Sequence, residues 1–367
     1  MTDKLHSGEG VRLAILKSIL SSSSSELVSL GVSGMDDAAV IDINAEDQLV
    51  IASDFVRGSE FHLFQLGYLN YFDVGYYLVA ANLSDIAAMG VRPAGLLTVI
   101  RYGKDMDDQA FADVFRGMLR AGQDYETPIV GGDIGGYAAD VFSATAFGFT
   151  KTNRYMRRST ANVGDVLCVS GPIGGAIGAL TYCKEIKLRS AVLSSTEEDL
   201  LLERWRRPKP RIDVGRLLLA KELASACMDI SDGLKASIDQ LANASGLGFR
   251  VVEEKIPVHP ILKKLCALVD LDEVALATSA SVDFELLFTV PLSKLDDARR
   301  EFAIAELDLL EIGETVADPT CRDMVSRSGV ISKLPGIAWD HQTGDHVANI
   351  LTDSLARARA QNGGNSK

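Results

Sequence analysis

Five separate segments of this chain place an aspartate where an apolar run ends. They read GMDDAAV, VIASDF, NLSDIAAMG, IVGGDI and MDISDG, and their aspartates are Asp36, Asp37, Asp54, Asp85, Asp133, Asp229 and Asp232. Aspartate is unfavourable inside strands and favourable in turns and helix caps, so a turn or cap is the simplest explanation for any single one. Five such segments beside glycine and serine instead predict that several strands deliver carboxylates to their ends.

Strand-like and helical patterns alternate along the chain, which predicts an α/β (α+β) fold. In the first half we predict helices over residues 11–20, 76–89 and 109–125, and strands over 38–43, 49–53, 96–101, 128–130 and 141–149. In the second half a strand over 166–170 leads through a glycine-rich turn into a helix. Further strands are predicted over 249–252 and 284–290, and helices over 211–226, 235–245 and 294–305.

A change of pattern around residues 151–163, from alternating to basic and polar, predicts a domain boundary. We therefore assign residues 1–155 to a first domain and residues 156–345 to a second. Residues 346–367 are helical in pattern and then end as QNGGNSK, which predicts a terminal helix and a flexible tail.

The charge balance argues against nucleic acid and membrane partners. Fifty acidic side chains against 37 basic ones give a net charge of -13, which repels both nucleic acid and anionic lipid. No apolar run reaches the ~18 residues of a membrane span, and the first ten residues lack the apolar core of a signal peptide. The five cysteines are scattered without CxxC spacing, which favours buried thiols in a reducing compartment. We expect a cytoplasmic protein.

Carboxylates that converge in a partly dry cleft repel one another unless a cation neutralises them. Hard oxygen ligands without paired histidines or cysteines favour Mg²⁺ and phosphate chemistry over zinc hydrolysis. Gly131 and Gly132, before Asp133, would let backbone N–H groups approach a phosphate closely. The Walker pattern GxxxxGK[ST] is absent, and close helix packing explains the glycines of SGPIGGAIGAL better than phosphate binding.

The order of these motifs resembles the thiamine-monophosphate kinase family of the aminoimidazole-ribotide synthetase superfamily. MDDAAV, ASDF, NLSDIAAMG, VGGD, DISDGL and AWDH follow one another as in that family, between about Gly34 and His341. RRSTANVGD, RPKPR and DFELLFTV add to the resemblance. It implies a two-domain synthetase-superfamily architecture: an amino-terminal domain that binds ATP and Mg²⁺ and pairs with its copy in a homodimer, and a carboxy-terminal α/β domain that completes the active site.

The resemblance also implies a reaction and a set of site residues. ATP's γ-phosphoryl would pass to a small phosphorylated acceptor, thiamine monophosphate, to give the diphosphate. The implied magnesium ligands are Asp36, Asp54, Asp85, Asp133 and Asp232, and the implied ATP contacts are Gly132, Arg158 and Ser231. The implied acceptor positions are His62, Val282 and Trp339.

Three departures from the family pattern fall on the acceptor side. Where the family has GGEDYEL, this chain has Ala280, Ser281 and Val282 before Asp283, so valine replaces a carboxylate. The segment after Asp54 reads FVRGSEFHLF and carries Arg57, and Asp133 is followed by IGG instead of threonines and an arginine. The acceptor could therefore differ. The alternatives are an ATP-dependent ring-closing or amidine-forming ligase and a non-catalytic nucleotide-binding partner protein.

Overall fold

The structure is a computed structural model that describes residues 15–16, 18–20, 25–188, 192–338 and 346–363. It contains two sheets, each accompanied by helices, and so confirms the α/β class. Within these residues no helix has the length and apolar character needed to cross a bilayer.

The first sheet has six strands in the order β1-β2-β3-β6-β4-β5. Their bounds are β1 Val28–Leu30, β2 Ala39–Asp42, β3 Asp47–Val56, β4 Pro93–Tyr102, β5 Ile129–Gly136 and β6 Val141–Lys151. Only β4 and β5 pair in parallel; the other neighbours are antiparallel. The accompanying helices are α1 His62–Gln65, α2 Tyr71–Ala88 and α3 Asp108–Asp124.

Helix α2 is the central element of the molecule. It begins at Asn70, whose side chain forms a reciprocal capping box with Asp73. Gly75 lets α3 approach closely, since a Cβ there would lie 1.9 Å from the carbonyl oxygen of Val114. One side of α2 packs against β3 and β6, and the helix also contacts elements of the second half of the chain. Its polar residues therefore lie where the two halves meet.

The second sheet has seven strands in the order β13-β12-β9-β11-β7-β10-β8, of which only β9 and β12 pair in parallel. The strands are β7 Val166–Val169, β8 Ala226–Asp229, β9 Gly248–Val252, β10 Leu286–Val290, β11 Leu310–Val316, β12 Arg322–Val325 and β13 Ile331–Lys333. The helices are α4 Gly175–Thr181, α5 Ser195–Arg206, α6 Ile212–Ala220, α7 Leu234–Ser245, α8 Pro260–Val269, α9 Glu273–Thr278, α10 Leu295–Ile304 and α11 His346–Gly363.

Side chains on the first sheet alternate between a buried and an exposed face. Leu96 and Ile100 are fully buried, whereas Leu97 and Val99 between them are 46% and 42% exposed. Val130 of β5 and Phe149 of β6 are also exposed on the face that carries Leu97 and Val99. This face is more apolar than a solvated sheet surface normally is.

The predicted helix over residues 211–226 is wrong in its second half. Helix α6 ends at Ala220, Glu222 adopts a left-handed conformation with φ 53°, and Ala226 already begins β8. Three aspartates also lie inside regular elements rather than in turns: Asp54 in β3, Asp85 in α2 and Asp133 in β5. The helical prediction over residues 11–20 is met at 15, 16 and 18–20; its remaining residues lie outside those described.

Candidate active site

Three carboxylates from three different elements meet between the halves of the chain. Asp37 lies in the loop before β2, Asp85 in α2, and Asp229 at the end of β8. One carboxylate oxygen from each lies within 4.8 Å of the other two. Of the predicted magnesium ligands this cluster contains Asp85; predicted Asp36 is next to Asp37 in the chain, and predicted Asp232 follows Asp229 by three residues.

The electrostatics of this cluster fit a hard divalent cation. Burial, followed by the charges of Asp229, Asp37 and Asp54, raises the pKa of Asp85 well above its ordinary value. Burial and the charge of Asp37 also raise the pKa of Asp229. The neighbouring Asp36 has its pKa raised to about 6, mainly by burial and then by Asp37. Crowded carboxylates with raised pKa values are those whose ionised forms a bound cation would stabilise.

Hydrogen bonds orient the carboxylates of this cluster. Ser84 Oγ donates to Asp229 Oδ2 at 2.7 Å, and Ser231 Oγ donates to Asp229 Oδ1 at 3.1 Å. Arg158 forms a largely buried two-point ion pair with Asp37, in which Nε donates to Oδ2 at 3.1 Å. The backbone N–H of Arg158 donates to Asp36 at 3.1 Å. Arg158, predicted to contact ATP, is therefore held beside the acidic cluster.

A cavity of about 400 Å³ adjoins this cluster through Ser231. Its lining includes the predicted site residues Asp54, His62, Ser231, Asp232 and Val282. Desolvation raises the pKa of Asp54, and the charge of Asp232 adds to that effect. The structure thus brings together two predicted metal ligands, one predicted ATP contact and two predicted acceptor positions.

Aromatic rings form a second part of the cavity lining. Tyr77 and Trp205 are stacked with ring centroids 5.8 Å apart, and Phe61 meets both rings edge to face at 5.2 and 5.5 Å. Phe284 packs on Tyr77 at 5.4 Å. The Trp205 indole N–H donates to the carbonyl oxygen of Ala176 at 2.8 Å, which fixes the ring. Flat rings of this kind suit an aromatic or cationic ligand ring.

Two carboxylates that follow Val282, those of Asp283 and Glu285, hold this segment of the backbone in place. Asp283 accepts the N–H groups of Gly174 at 2.8 Å and Ala176 at 3.3 Å, at the start of α4. Glu285 is fully buried and accepts from Arg211 Nε at 2.6 Å, Ser170 at 2.7 Å and Arg204 at 3.2 Å. Two motifs from the sequence therefore support this segment: RPKPR contacts it through Arg211, and SGPIGG contacts it through Ser170.

Asp133 and Gly132 lie elsewhere, on β5. Asp133 pairs with Arg101 at 2.5 Å, which lowers its pKa, and it belongs neither to the three-carboxylate cluster nor to the cavity lining. Gly132 has φ 152°, and a Cβ there would lie 2.0 Å from the carbonyl oxygen of Thr98, so close strand packing requires glycine. Trp339 lies outside the described residues. The roles assigned to these three residues stay predictions.

The prediction missed the aromatic residues Phe61, Tyr77 and Trp205 as cavity lining. Each occurs in a segment that reads as ordinary apolar helix or loop, so spacing alone could not separate them from core residues. For Asp37 and Asp229 there was a signal, because both occur in the acidic segments already identified. The sequence pattern located those segments, but it could not show which of two nearby carboxylates joins the three-carboxylate cluster.

Two family models match the chain. "AIR synthase related protein, N-terminal domain" matches residues 35–150, and "AIR synthase related protein, C-terminal domain" matches residues 162–325. The fold and its acidic cleft therefore define a two-domain protein of the AIR synthase-related class.

Comparisons with individual proteins narrow this class. The thiamine-monophosphate kinase of Bacillus subtilis is 32% identical over 76% of this chain and 83% of its own length. That of Salmonella typhimurium is 31% identical over 83% of this chain and 90% of its own. The chain belongs to the thiamine-monophosphate kinase family, a family of ATP-dependent phosphotransferases. The solved complex of AaThiL with AMPPCP and TMP superposes with a TM-score of 0.74 at 27% identity, covering 91% of this chain and 97% of that one.

Proposed function

We propose that this protein is a magnesium-dependent kinase that transfers the γ-phosphoryl group of ATP to thiamine monophosphate, giving thiamine diphosphate. The observation that carries the proposal is the acidic cluster of Asp37, Asp85 and Asp229 beside a cavity with aromatic walls. The carboxylate cluster suits cations and phosphates, and the aromatic walls suit the ring of an acceptor. The AaThiL complex with AMPPCP and TMP supports the same pairing of ligands.

Asp37, Asp85 and Asp229 would hold magnesium, with Asp54 and Asp232 reaching it from the cavity. Magnesium, when bound, neutralises and aligns the phosphate oxygens of ATP. The terminal phosphate of the acceptor is itself the nucleophile, so the protein needs no serine, cysteine or histidine for that role. The chain's own contribution is to bind both ligands in line, to orient the carboxylates through Ser84 and Ser231, and to exclude water with its aromatic wall.

Val282 replaces a carboxylate of the family pattern, but the cavity retains features that suit a thiazolium ring. Tyr77, Trp205 and Glu60 all line the cavity, and aromatic rings and a carboxylate both attract a cation. We propose that these groups hold the ring despite the missing carboxylate at position 282.

The test is ADP formation by the metal-stripped protein with thiamine monophosphate, before and after magnesium is added back. We expect turnover that needs both magnesium and the acceptor, and its loss by about 100-fold or more in Asp54→Asn and Asp85→Asn. Asp113→Asn, at an exposed ion pair with Arg116, is the matched control. ADP formation only with amide acceptors would instead indicate a ligase, and nucleotide binding without ADP formation would indicate a non-catalytic partner protein.

Two further proposals concern assembly and location. The exposed apolar face of the first sheet supports a homodimer in which residues 1–155 supply the contact and residues 156–345 complete the active site. The five cysteines are all buried with free thiols, which supports action in the reducing cytoplasm.

A further inference from the structure

Helix α11 forms part of the cavity wall, although it lies beyond residue 325, where the matched family domains end. Val347 and Ile350, in its first two turns, line the cavity and are only 3% and 1% exposed. The helix packs against α9 and α4. Its amino-terminal turns are therefore built into the site and are not a trailing surface segment.

A buried polar contact fixes the position of α11. Ser354 is fully buried; its hydroxyl accepts the backbone N–H of Asp272 at 2.8 Å and donates to the carbonyl oxygen of Asp272 at 3.1 Å. Arg357 Nε donates to the Asp272 carboxylate at 3.0 Å. The same carboxylate caps α9 by accepting the N–H groups of Val274 and Ala275 at 2.9 Å. One aspartate thus ties α11 to the start of α9.

The chemistry of the lining indicates which ligand α11 would touch. Asp54 and Asp232 suit cations and phosphate groups, whereas Val347 and Ile350 offer no hydrogen bond and can contact only apolar surface. His62 and Val282, at two of the acceptor positions, line the same cavity; of the ATP positions Ser231 lines it beside Asp232, and Arg158 does not. The apolar surface in question is therefore the acceptor's ring.

We propose that α11 is a specificity element, whose Val347 and Ile350 contact the ring of the phosphorylated acceptor and set its affinity. The inference rests on the proposed function, since it takes thiamine monophosphate as the acceptor. It assigns a role in acceptor recognition to a segment outside the family domains.

The experiment compares Ile350→Ala, Arg357→Gln and the control Leu355→Ala with the native full-length protein. Leu355 lies on the same helix and is 36% exposed, so it loses equivalent side-chain volume away from the cavity. Arg357→Gln loosens the helix without altering the cavity lining, which keeps the test valid if Ile350→Ala fails to fold. We would measure KM for thiamine monophosphate and for ATP, the Tm, and the Kd of thiamine monophosphate by calorimetry.

Ile350→Ala and Arg357→Gln are expected to raise KM and Kd for thiamine monophosphate by about fivefold or more, with KM for ATP unchanged. Leu355→Ala should change neither. A lower Tm with unchanged acceptor affinity, or an equal rise in both KM values, would show that α11 serves stability alone and would overturn the inference. Binding without turnover would overturn only the proposed function, because the Kd ratio still decides the role of α11. No binding to the native protein would overturn both.

Discussion

Val282 lies in a segment whose backbone is held from both sides. The hydroxyl of Ser281 accepts the N–H of Ile177 at 3.3 Å, and Asp283 accepts the N–H of Gly174 at 2.8 Å. A new side chain at position 282 would therefore enter the cavity from the same backbone position. A substitution at position 282 therefore tests how the charge of this side chain affects acceptor binding.

We expect Val282→Glu to lower KM for thiamine monophosphate. A charge-assisted contact is worth roughly 1.5–3 kcal/mol, or about tenfold to over a hundredfold in affinity. Steady-state kinetics at saturating ATP and magnesium would measure this, with Val282→Gln as the neutral control of equal size. An unchanged or higher KM in Val282→Glu would mean that the cavity does not favour a carboxylate at this position.

The raised pKa values of Asp85 and Asp229 predict a pH-dependent response to magnesium. A carboxylate with a raised pKa keeps its proton up to a higher pH than usual, and a cation must displace that proton to bind. Magnesium affinity should therefore increase as pH rises, and the magnesium-induced increase in Tm should be larger at pH 8 than at pH 6. Thermal unfolding with and without magnesium would measure it. Asp85→Asn should shrink the shift at both pH values; an equal shift in the native protein at both would contradict the assignment.

Paired aspartates show where prediction from sequence reached its limit at this scale. The acidic segments GMDD, NLSD and MDISD each contribute one carboxylate to the cluster, and of the three only Asp85 was among the predicted ligands. Asp36 and Asp37 follow Met35, whose backbone adopts a left-handed conformation with φ 51°. Single-residue turns of this kind come from tertiary packing and leave no periodic signal.

Among the secondary-structure elements, Glu285, just before β10, connects three parts of the chain. They are α5, the loop before α6 and the residue that follows β7. Its buried carboxylate accepts from Arg204, Arg211 and Ser170, so one side chain satisfies two guanidinium groups. Burial of the carboxylate makes this arrangement costly to disturb, because removing its charge leaves two partly buried guanidinium groups without a counter-ion.

Glu285→Gln is therefore expected to lower the free energy of unfolding by about 3–5 kcal/mol. Denaturant-induced unfolding followed by circular dichroism would measure the loss. Glu314→Gln breaks an exposed pair with Arg250 and should cost less than about 1 kcal/mol. Equal losses of unfolding free energy from the two substitutions would show that the Glu285 contacts stabilise the fold no more than an exposed ion pair does.

Element prediction was reliable where the periodic pattern was long. The structure places α3 at Asp108–Asp124 and β6 at Val141–Lys151, against predictions of 109–125 and 141–149. It failed for β8, whose four residues ACMD continue the apolar pattern of the helix before them. β8 is an edge strand of the second sheet that is held by pairing with β10, a distant partner that local pattern does not reveal.

In the molecule as a whole, the first sheet has an apolar face that is exposed to solvent in a single chain. Leu97 and Val99 of β4 lie on it, with Val130 of the neighbouring β5. An isologous contact between two copies would cover this face on both chains at once.

We expect the native protein to sediment as a dimer and Leu97→Glu to sediment as a monomer, because a charge at the centre of an apolar contact is costly to bury. Leu268→Glu, at a 51% exposed position on α8, should leave the dimer intact. Analytical ultracentrifugation would measure both. A native monomer at every workable concentration would exclude this assembly.

The open sheet face also links the protein's stability to its abundance. If folding is completed only when two copies meet, unfolding is a bimolecular equilibrium, and the midpoint of thermal unfolding rises with protein concentration by mass action. A cell that makes little of this protein would hold a larger fraction of it unpaired, with Leu97 and its neighbours open to aggregation or proteolysis. The level of expression would then set the lifetime of the chain.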